Sequence, residues 1–436
     1  MTNLTDEYRT STTAEPASLG WPVISVVAMC AVVALLDGFD TLAISYVAPV
    51  IADAWRVPKE TFGPIFSAHY VGAAIGAAAF GILADRYGRR RIILISTIVF
   101  GLCALMTSLA YDVPSLLISR ALTGLGLGGA LSNVIAMVSE CAPGRLRATL
   151  VSLMYAAFPL GGVLGGPMSA AVIAGYGWQG VFLIGGVAPL ILAAVLAAAL
   201  PESPRFLLAH GPIDTERSTG ATLPLTQAAQ GSLRQLFAGE YRRLTVLLSL
   251  AAFLTQLVIV FVITWMPTLL TSAGLPLSRS ILVSASFSLG GIIGSLLLAR
   301  LIDRQQSFRS LIATFVAASV AIGSIGFSTF NAGWLIATVG VAGLLIVGAQ
   351  VNLSAYTAVV YPTRIRSTGI GWVVGVGRIG AITGALAGTA LVAAGLDLGQ
   401  QYLIAGIPAL LAAFAVALTG ERDQNFADGS DREPAR

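Results

Sequence analysis

Twelve long apolar stretches, separated by short polar ones, make up most of the chain: residues 23–51, 61–84, 92–111, 115–139, 147–174, 178–200, 244–271, 281–302, 310–329, 333–359, 367–394 and 400–419. Each has roughly the 20 residues an α-helix needs to cross a bilayer core, and none has the strict alternation of a membrane β-strand. The pattern predicts an all-α membrane protein of twelve transmembrane helices. Polar sequence is confined to short turns and three longer segments. The expected organisation is a tail (1–20), a six-helix bundle (21–200), a connector (201–243), a second six-helix bundle (244–420) and a second tail (421–436). Within the connector, residues 213–232 read as flexible linker.

Composition agrees with the pattern. Of 436 residues, 56% are hydrophobic and 11% charged, with mean hydropathy +0.84, far from soluble usage. The net charge of +4 would suit nucleic acid only if the basic residues formed a soluble patch, and they flank the spans instead. Of 25 Lys and Arg residues, Arg56, Lys59 and Arg279 lie in loops on one side and Arg120 and Arg378 inside spans, leaving 20 on the other side. The positive-inside rule puts that side, with both termini, in the cytoplasm, so a multi-pass protein of the cell inner (plasma) membrane is expected. The first twenty residues lack the charged and apolar regions of a signal peptide, so the first span is expected to direct its own insertion. Cys30, Cys103 and Cys141 have no metal-site spacing and read as small buried hydrophobes. No cofactor or metal is expected, and the chain reads as a monomer.

The chain is internally doubled. Asp85-Arg86, between spans two and three, recurs as Asp303-Arg304 between spans eight and nine, and PGRLRAT (143–149) recurs as PTRIRST (362–368) after the tenth span. Asn133 and Asn352 keep the same spacing as that second pair. Transporters are commonly built from such repeats, with the substrate site near the midplane where they meet.

The loop GILADRYGRRR (81–91) resembles the signature loop of the major facilitator superfamily, as do the six-plus-six arrangement and the weaker second copy. The resemblance implies two pseudo-symmetric six-helix bundles, the major facilitator fold. Gly81 and Gly88 would allow close packing and a tight turn, and Asp85 would accept hydrogen bonds from arginines. Asp85, Arg86, Arg89, Arg90, Glu140 and Arg147 are expected to form a latch, with Asp303, Arg304, Arg364 and Arg366 as its second copy. PESPRF (201–206) resembles the matching element of sugar and organic-acid carriers. The plainer alternative is that these arginines anchor loops to anionic lipid.

Asp37 and Asp40 stand three residues apart inside the first span, on one helical face. A buried acid at membrane depth costs about 2.5–3.5 kcal/mol even on lenient scales, so it usually moves or coordinates something. SRALTGLGLGGA (119–130) resembles the fourth-span motif of the superfamily, where an Arg influences proton coupling, and GFDT (38–41) resembles the first span of proton-coupled sugar carriers. Asp40, Asp37 and Arg120 are therefore the expected proton-coupling residues, with Asp40 paired to Arg120. Burial favours the neutral acid and the guanidinium favours the ionised one, and the balance would change as the site opens to either side. The plainer alternative is an aspartate capping a helix broken at Gly38. His69, among small residues in span two, reads as a hydrogen-bonded core group without a role.

The DGFD doublet, with GWVVGVGRIGAITGALAG (371–388) in span eleven, resembles the aromatic acid/proton symporter family. On that resemblance Arg378 receives a substrate carboxylate by bidentate hydrogen bonds. Asn133, Gln256, Gln350 and Asn352 are amides available to ring substituents, and Tyr46, Tyr155, Phe158 and Tyr356 are available to stack on a ring; core packing explains many of them equally well. Span eight holds no acid or histidine, only Ser284, Ser286 and Ser288. The expected function is proton-coupled symport of an aromatic or related cyclic carboxylate. A carrier of another organic acid or sugar, a drug/proton antiporter and a transporter-like sensor remain open. No nucleophile–base or nucleotide-binding pattern points to an enzyme.

Overall fold

The computed structural model of the protein describes residues 20–210, 233–239, 241–305, 308–328, 331–362 and 365–420. Among them all regular structure is helical. The first four spans are the helices Trp21–Trp55, Phe62–Tyr87, Arg89–Ser108 and Val113–Cys141. A short helix Arg147–Tyr155 leads into Ala157–Ala199, whose 43 residues would reach about 64 Å as one rod, twice a bilayer core. That rod is interrupted at Gly177, with φ 73° and ψ 180°, a conformation open essentially to glycine alone, and the break separates the fifth span from the sixth. The remaining spans are Tyr241–Ser272, Leu277–Gln305, Phe308–Ser324, Ala332–Val360, Arg366–Ala393 and Leu398–Gly420, making the expected twelve.

Local chemistry sets several ends. Asp112 caps the fourth span, accepting from the Ser115 backbone N–H at 2.9 Å while the Ser115 hydroxyl takes the Asp112 N–H. The hydrogen bonds from Ser115 hold the Asp112 carboxyl below the usual carboxylate range. Asn331 caps the tenth span through Gly333 and Trp334. The first span is one unbroken helix through Gly38, so its aspartates do not cap a break. Gly38 serves contact instead: a Cβ there would strike the Phe158 backbone.

The chain divides into two compact units. One gathers the described residues of Met1–Ala43, Ala68–Gly165 and Ala171–Ile213; the other gathers those of Ile44–Ser67, Gly166–Ala170 and Asp214–Arg436. In the first unit, Val26, Cys30, Val33, Ile93, Val134, Met137 and Leu196 form a continuous buried core. Spans two and four touch backbone to backbone along a glycine seam: Gly72 on Ala121, Gly124 on His69, Gly76 on Leu125 and Gly128 on Ala73. Lipid offers no hydrophobic drive to join helices, so small residues that permit such approach supply the dispersion contact. The second unit repeats the device, with Gly290, Gly294 and Gly343 joining spans eight and ten, and Gly380 and Gly384 joining seven and eleven. In that unit Phe66 meets Trp265 edge-on at 5.4 Å, Thr389 donates to the Glu60 carbonyl at 3.1 Å and Lys59 donates to Ser272 at 2.9 Å.

Candidate functional site

The glycine seam of the first unit positions its chemistry. With no Cβ at Gly124, span four lies directly on the His69 backbone, and Arg120, one turn earlier, comes alongside the His69 ring. From there Arg120 reaches Asp40 of the first span: Nη2 donates to Oδ2 at 2.8 Å and Nη1 to Oδ1 at 3.2 Å. This is the bidentate geometry that makes an arginine–carboxylate pair strong. Nη2 also donates to the Asp40 carbonyl at 3.2 Å and lies 3.1 Å from His69 Nδ1. Both charged side chains are 0% exposed, and the guanidinium carbon sits 5.5 Å from the centre of the Phe182 ring. The pairing expected from the sequence is therefore present.

Asp37 joins the same group by a second route. The Thr41 hydroxyl donates to Asp37 Oδ1 at 3.1 Å and lies 3.2 Å from His69 Nε2. Asp37, Thr41, His69, Arg120 and Asp40 thus form one connected polar network, all buried. His69 was expected to have no role, and Thr41 and Phe182 carried no signal of their own. The pointer to His69 lay in its glycines: Gly72 and Gly76 stand three and seven positions after it, and Gly124 and Gly128 four and eight after Arg120.

A second cluster gathers around the GILADRYGRRR loop. Arg89 Nη2 pairs with Asp85 at 2.7 Å and with Glu140 at 3.5 Å, while Nη1 donates to Asn133 Oδ1 at 3.2 Å. The Ser203 hydroxyl donates to Glu140. The Arg90 backbone N–H donates to Glu202 Oε1 at 3.0 Å, and its guanidinium donates to the Ala197 carbonyl at 2.6 Å. Gly88 turns at φ 96°, with the Glu202 carboxylate where a Cβ would stand, so the turn requires glycine twice over.

Other members of the expected latch differ. Gly81 faces open space, so close packing is not its role. Arg147 is exposed and makes no ion pair among the described residues. Arg86 lies over the Tyr87 ring at 5.5 Å. In the second copy, Arg366 Nε donates to the Tyr361 carbonyl at 3.2 Å; Arg364 and the side chains of Asp303 and Arg304 lie outside the described residues. Asn133, expected at substrate, has its amide committed to Arg89 and to the carbonyls of Gly129 and Phe80. Its place is with the loop cluster.

In the second unit Arg378 is exposed on the flank of span eleven and has no ion pair or hydrogen bond among the described residues. Gln256 of span seven packs against Gly377, the residue before Arg378. Gln350 Oε1 and Asn352 Nδ2 are buried without a hydrogen-bond partner, as is the Ser288 hydroxyl, whereas Ser284 and Ser286 bond to their own helix. The Tyr356 hydroxyl lies 3.1 Å from that of Thr419, and Tyr46 is 1% exposed. Trp265 is buried, donating to the Ala385 carbonyl at 2.9 Å, and is core. In the first unit Tyr155 stacks on Phe158 at 6.0 Å. No cluster able to hold a metal occurs among the described residues.

Comparison with known sequences places this architecture. Residues 30–385 match the Major Facilitator Superfamily. The chain belongs to that superfamily. Among relatives in it, a gallate transporter of Pseudomonas putida is 35% identical over 410 residues, covering 91% of each chain. A 3-(3-hydroxy-phenyl)propionate transporter of Escherichia coli is 39% identical, covering 88% of this chain and 90% of its own. A 4-hydroxybenzoate transporter of P. putida is 34% identical over 91% of this chain and 92% of its own. Among solved structures, the inward-open xylose transporter of E. coli aligns with TM-score 0.71 at 21% identity over 90% of this chain and 95% of its own. The major facilitator fold expected from the loop motif and the duplication is thereby established.

Proposed function

We propose that the protein is a proton-coupled symporter importing an aromatic or related cyclic carboxylate across a bacterial inner membrane by alternating access, with both termini cytoplasmic. The observation that carries the reading is the fully buried Asp40–Arg120 pair joined to Asp37. A membrane protein that stranded these charges without using them would bear a cost of several kcal/mol per ion for nothing. In this reading Asp40 takes a proton from the outside, Arg120 is freed from its bidentate grip, and the first unit changes its preferred packing. Proton release restores the pair.

The relatives named for gallate, 4-hydroxybenzoate and 3-(3-hydroxy-phenyl)propionate support the substrate class, since each cargo is a ring bearing a carboxylate. Arg378, uncommitted among the described residues, suits that carboxylate; Gln256, Gln350 and Asn352 suit ring hydroxyls, and Tyr46, Tyr155, Phe158 and Tyr356 suit the ring face. Asp85, Arg89 and Glu140 act as a latch that holds one end shut and breaks on opening. The working unit is a monomer.

The test is uptake of a labelled panel (benzoate, 4-hydroxybenzoate, gallate, 3-(3-hydroxyphenyl)propionate, xylose) by cells expressing the protein, with and without a protonophore. Accumulation of one or more ring carboxylates that the protonophore abolishes is expected. Accumulation of xylose alone, or uptake indifferent to the protonophore, would overturn the reading.

A further inference from the structure

The hydrogen bonds around His69 have only one consistent direction. A guanidinium has no acceptor atom, so His69 Nδ1, 3.1 Å from Arg120 Nη2, faces it with a lone pair and shares with the Asp40 carbonyl at 3.2 Å the one Nη2 hydrogen that Asp40 Oδ2 does not take. The neutral ring then carries its proton on Nε2, which faces the Thr41 oxygen at 3.2 Å. Thr41 in turn donates its hydroxyl proton to Asp37 Oδ1 at 3.1 Å. All the bonds point the same way, from Arg120 through the ring and the hydroxyl to Asp37. An imidazolium is excluded while Arg120 is in place, because a second ring N–H would be aimed at a guanidinium N–H.

We propose that His69 is the positioning residue that couples the two aspartates: as the neutral Nε2–H tautomer it holds Arg120 on Asp40 and ties that pair to Asp37 through Thr41. The inference rests on the proton-coupling reading above and adds a residue and a direction to it. Loss of the Asp40 charge loosens Arg120, which frees Nδ1. The ring can then bind a proton at Nδ1 and release the one on Nε2 through Thr41 toward Asp37, with the Thr41 hydroxyl proton moving on to the carboxylate. One proton enters the chain and one leaves it, and no bond is left unbalanced. The groups facing the ring are Arg120 from span four, Thr41 with Asp37 and Asp40 from span one, and its neighbour Tyr70, edge-on at 5.4 Å. Cys103 of span three lies within electrostatic reach of Asp40 and Arg120. His69 is 3% exposed, so no bulk water competes for either nitrogen.

The test uses proteoliposomes of the full chain and two variants. His69→Asn keeps an acceptor near the Nδ1 position without reaching Thr41, and His69→Phe keeps the ring volume without either bond. Two rates are compared for a ring carboxylate that the parent carries: exchange, which needs no net proton movement, and accumulation driven by an imposed pH difference. Exchange is expected to stay within a few-fold in His69→Asn. Accumulation is expected to fall about tenfold in both variants, within the 5–150-fold range of a coupling free energy, with the pH profile of uptake displaced. Parental accumulation and an unchanged pH profile in both variants would overturn the inference. Equal loss of exchange and accumulation in both would also overturn it, since a merely structural histidine gives that result. If the parent itself ignores the pH difference, the symport reading falls together with this one; if the parent responds and the variants match it, only this one falls.

Discussion

Removing one partner of a buried ion pair leaves the other stranded, at about 3–5 kcal/mol. Asp40 and Arg120 are both 0% exposed, so the full penalty applies. Asp40→Asn leaves one amide oxygen for Arg120, which also keeps the residue-40 carbonyl and His69. Its cost should therefore sit at the low end, about 3 kcal/mol. Arg120→Gln leaves a bare buried carboxylate and should cost about 3–5 kcal/mol. The double variant strands neither charge and should cost little more than the milder single change, a coupling of about 3 kcal/mol. An ordinary interhelical hydrogen bond in a membrane protein averages about 0.6 kcal/mol, so a coupling of that size distinguishes an ion pair from interhelical glue. The assay is equilibrium unfolding of the four purified proteins in mixed detergent micelles. Additivity within about 0.5 kcal/mol would refute the reasoning, because the two charges would then not be each other's compensation.

Two further predictions concern Arg378, the proposed carboxylate receptor, and the Gly88 turn. Arg378→Lys keeps the charge but loses the planar fork, so uptake should show a raised half-saturation constant, by about tenfold for one lost charge-assisted bond of about 1.4 kcal/mol, with maximal rate little changed; an unchanged constant would count against bidentate capture. Gly88→Ala places a Cβ on the Glu202 carboxylate at φ 96° and should cost about 1–3 kcal/mol, read as lower thermal stability in detergent, whereas Gly81→Ala, facing open space, should leave stability unchanged.

Much of the fold was legible because membrane solvent imposes simple rules. Length and hydropathy fixed twelve spans, and the doubled Asp-Arg and PGRLRAT/PTRIRST landmarks divided them six and six. The Asp40–Arg120 pair was legible too, because few charges lie inside the spans and GFDT and SRALTGLGLGGA resemble the first- and fourth-span motifs of proton-coupled carriers. What stayed hidden was whatever depends on how helices rotate against each other. His69 looked like a core residue until the seam of Gly72, Gly76, Gly124 and Gly128 set it against Arg120, and Asn133 looked like a substrate contact until Arg89 claimed its oxygen. The plainer alternative of a helix broken at Gly38 rested on the low helix propensity of glycine; the helix runs through it, and Gly38 packs on the Phe158 backbone. The second unit's polar residues are the least constrained, since Gln350 Oε1 and Asn352 Nδ2 are buried without a hydrogen-bond partner and Arg378 is exposed without an ion pair among the described residues.

In the proposed function Asp40 gains and loses the transported proton. The most direct test of this is proton movement itself, in proteoliposomes enclosing a pH-sensitive dye and held without a membrane potential. On addition of a ring carboxylate, the parent protein should acidify the lumen in step with labelled substrate entry, and Asp40→Asn should abolish the acidification while still exchanging labelled for unlabelled substrate. Acidification by Asp40→Asn at the parental rate, or substrate entry through the parent with no proton movement, would contradict the account.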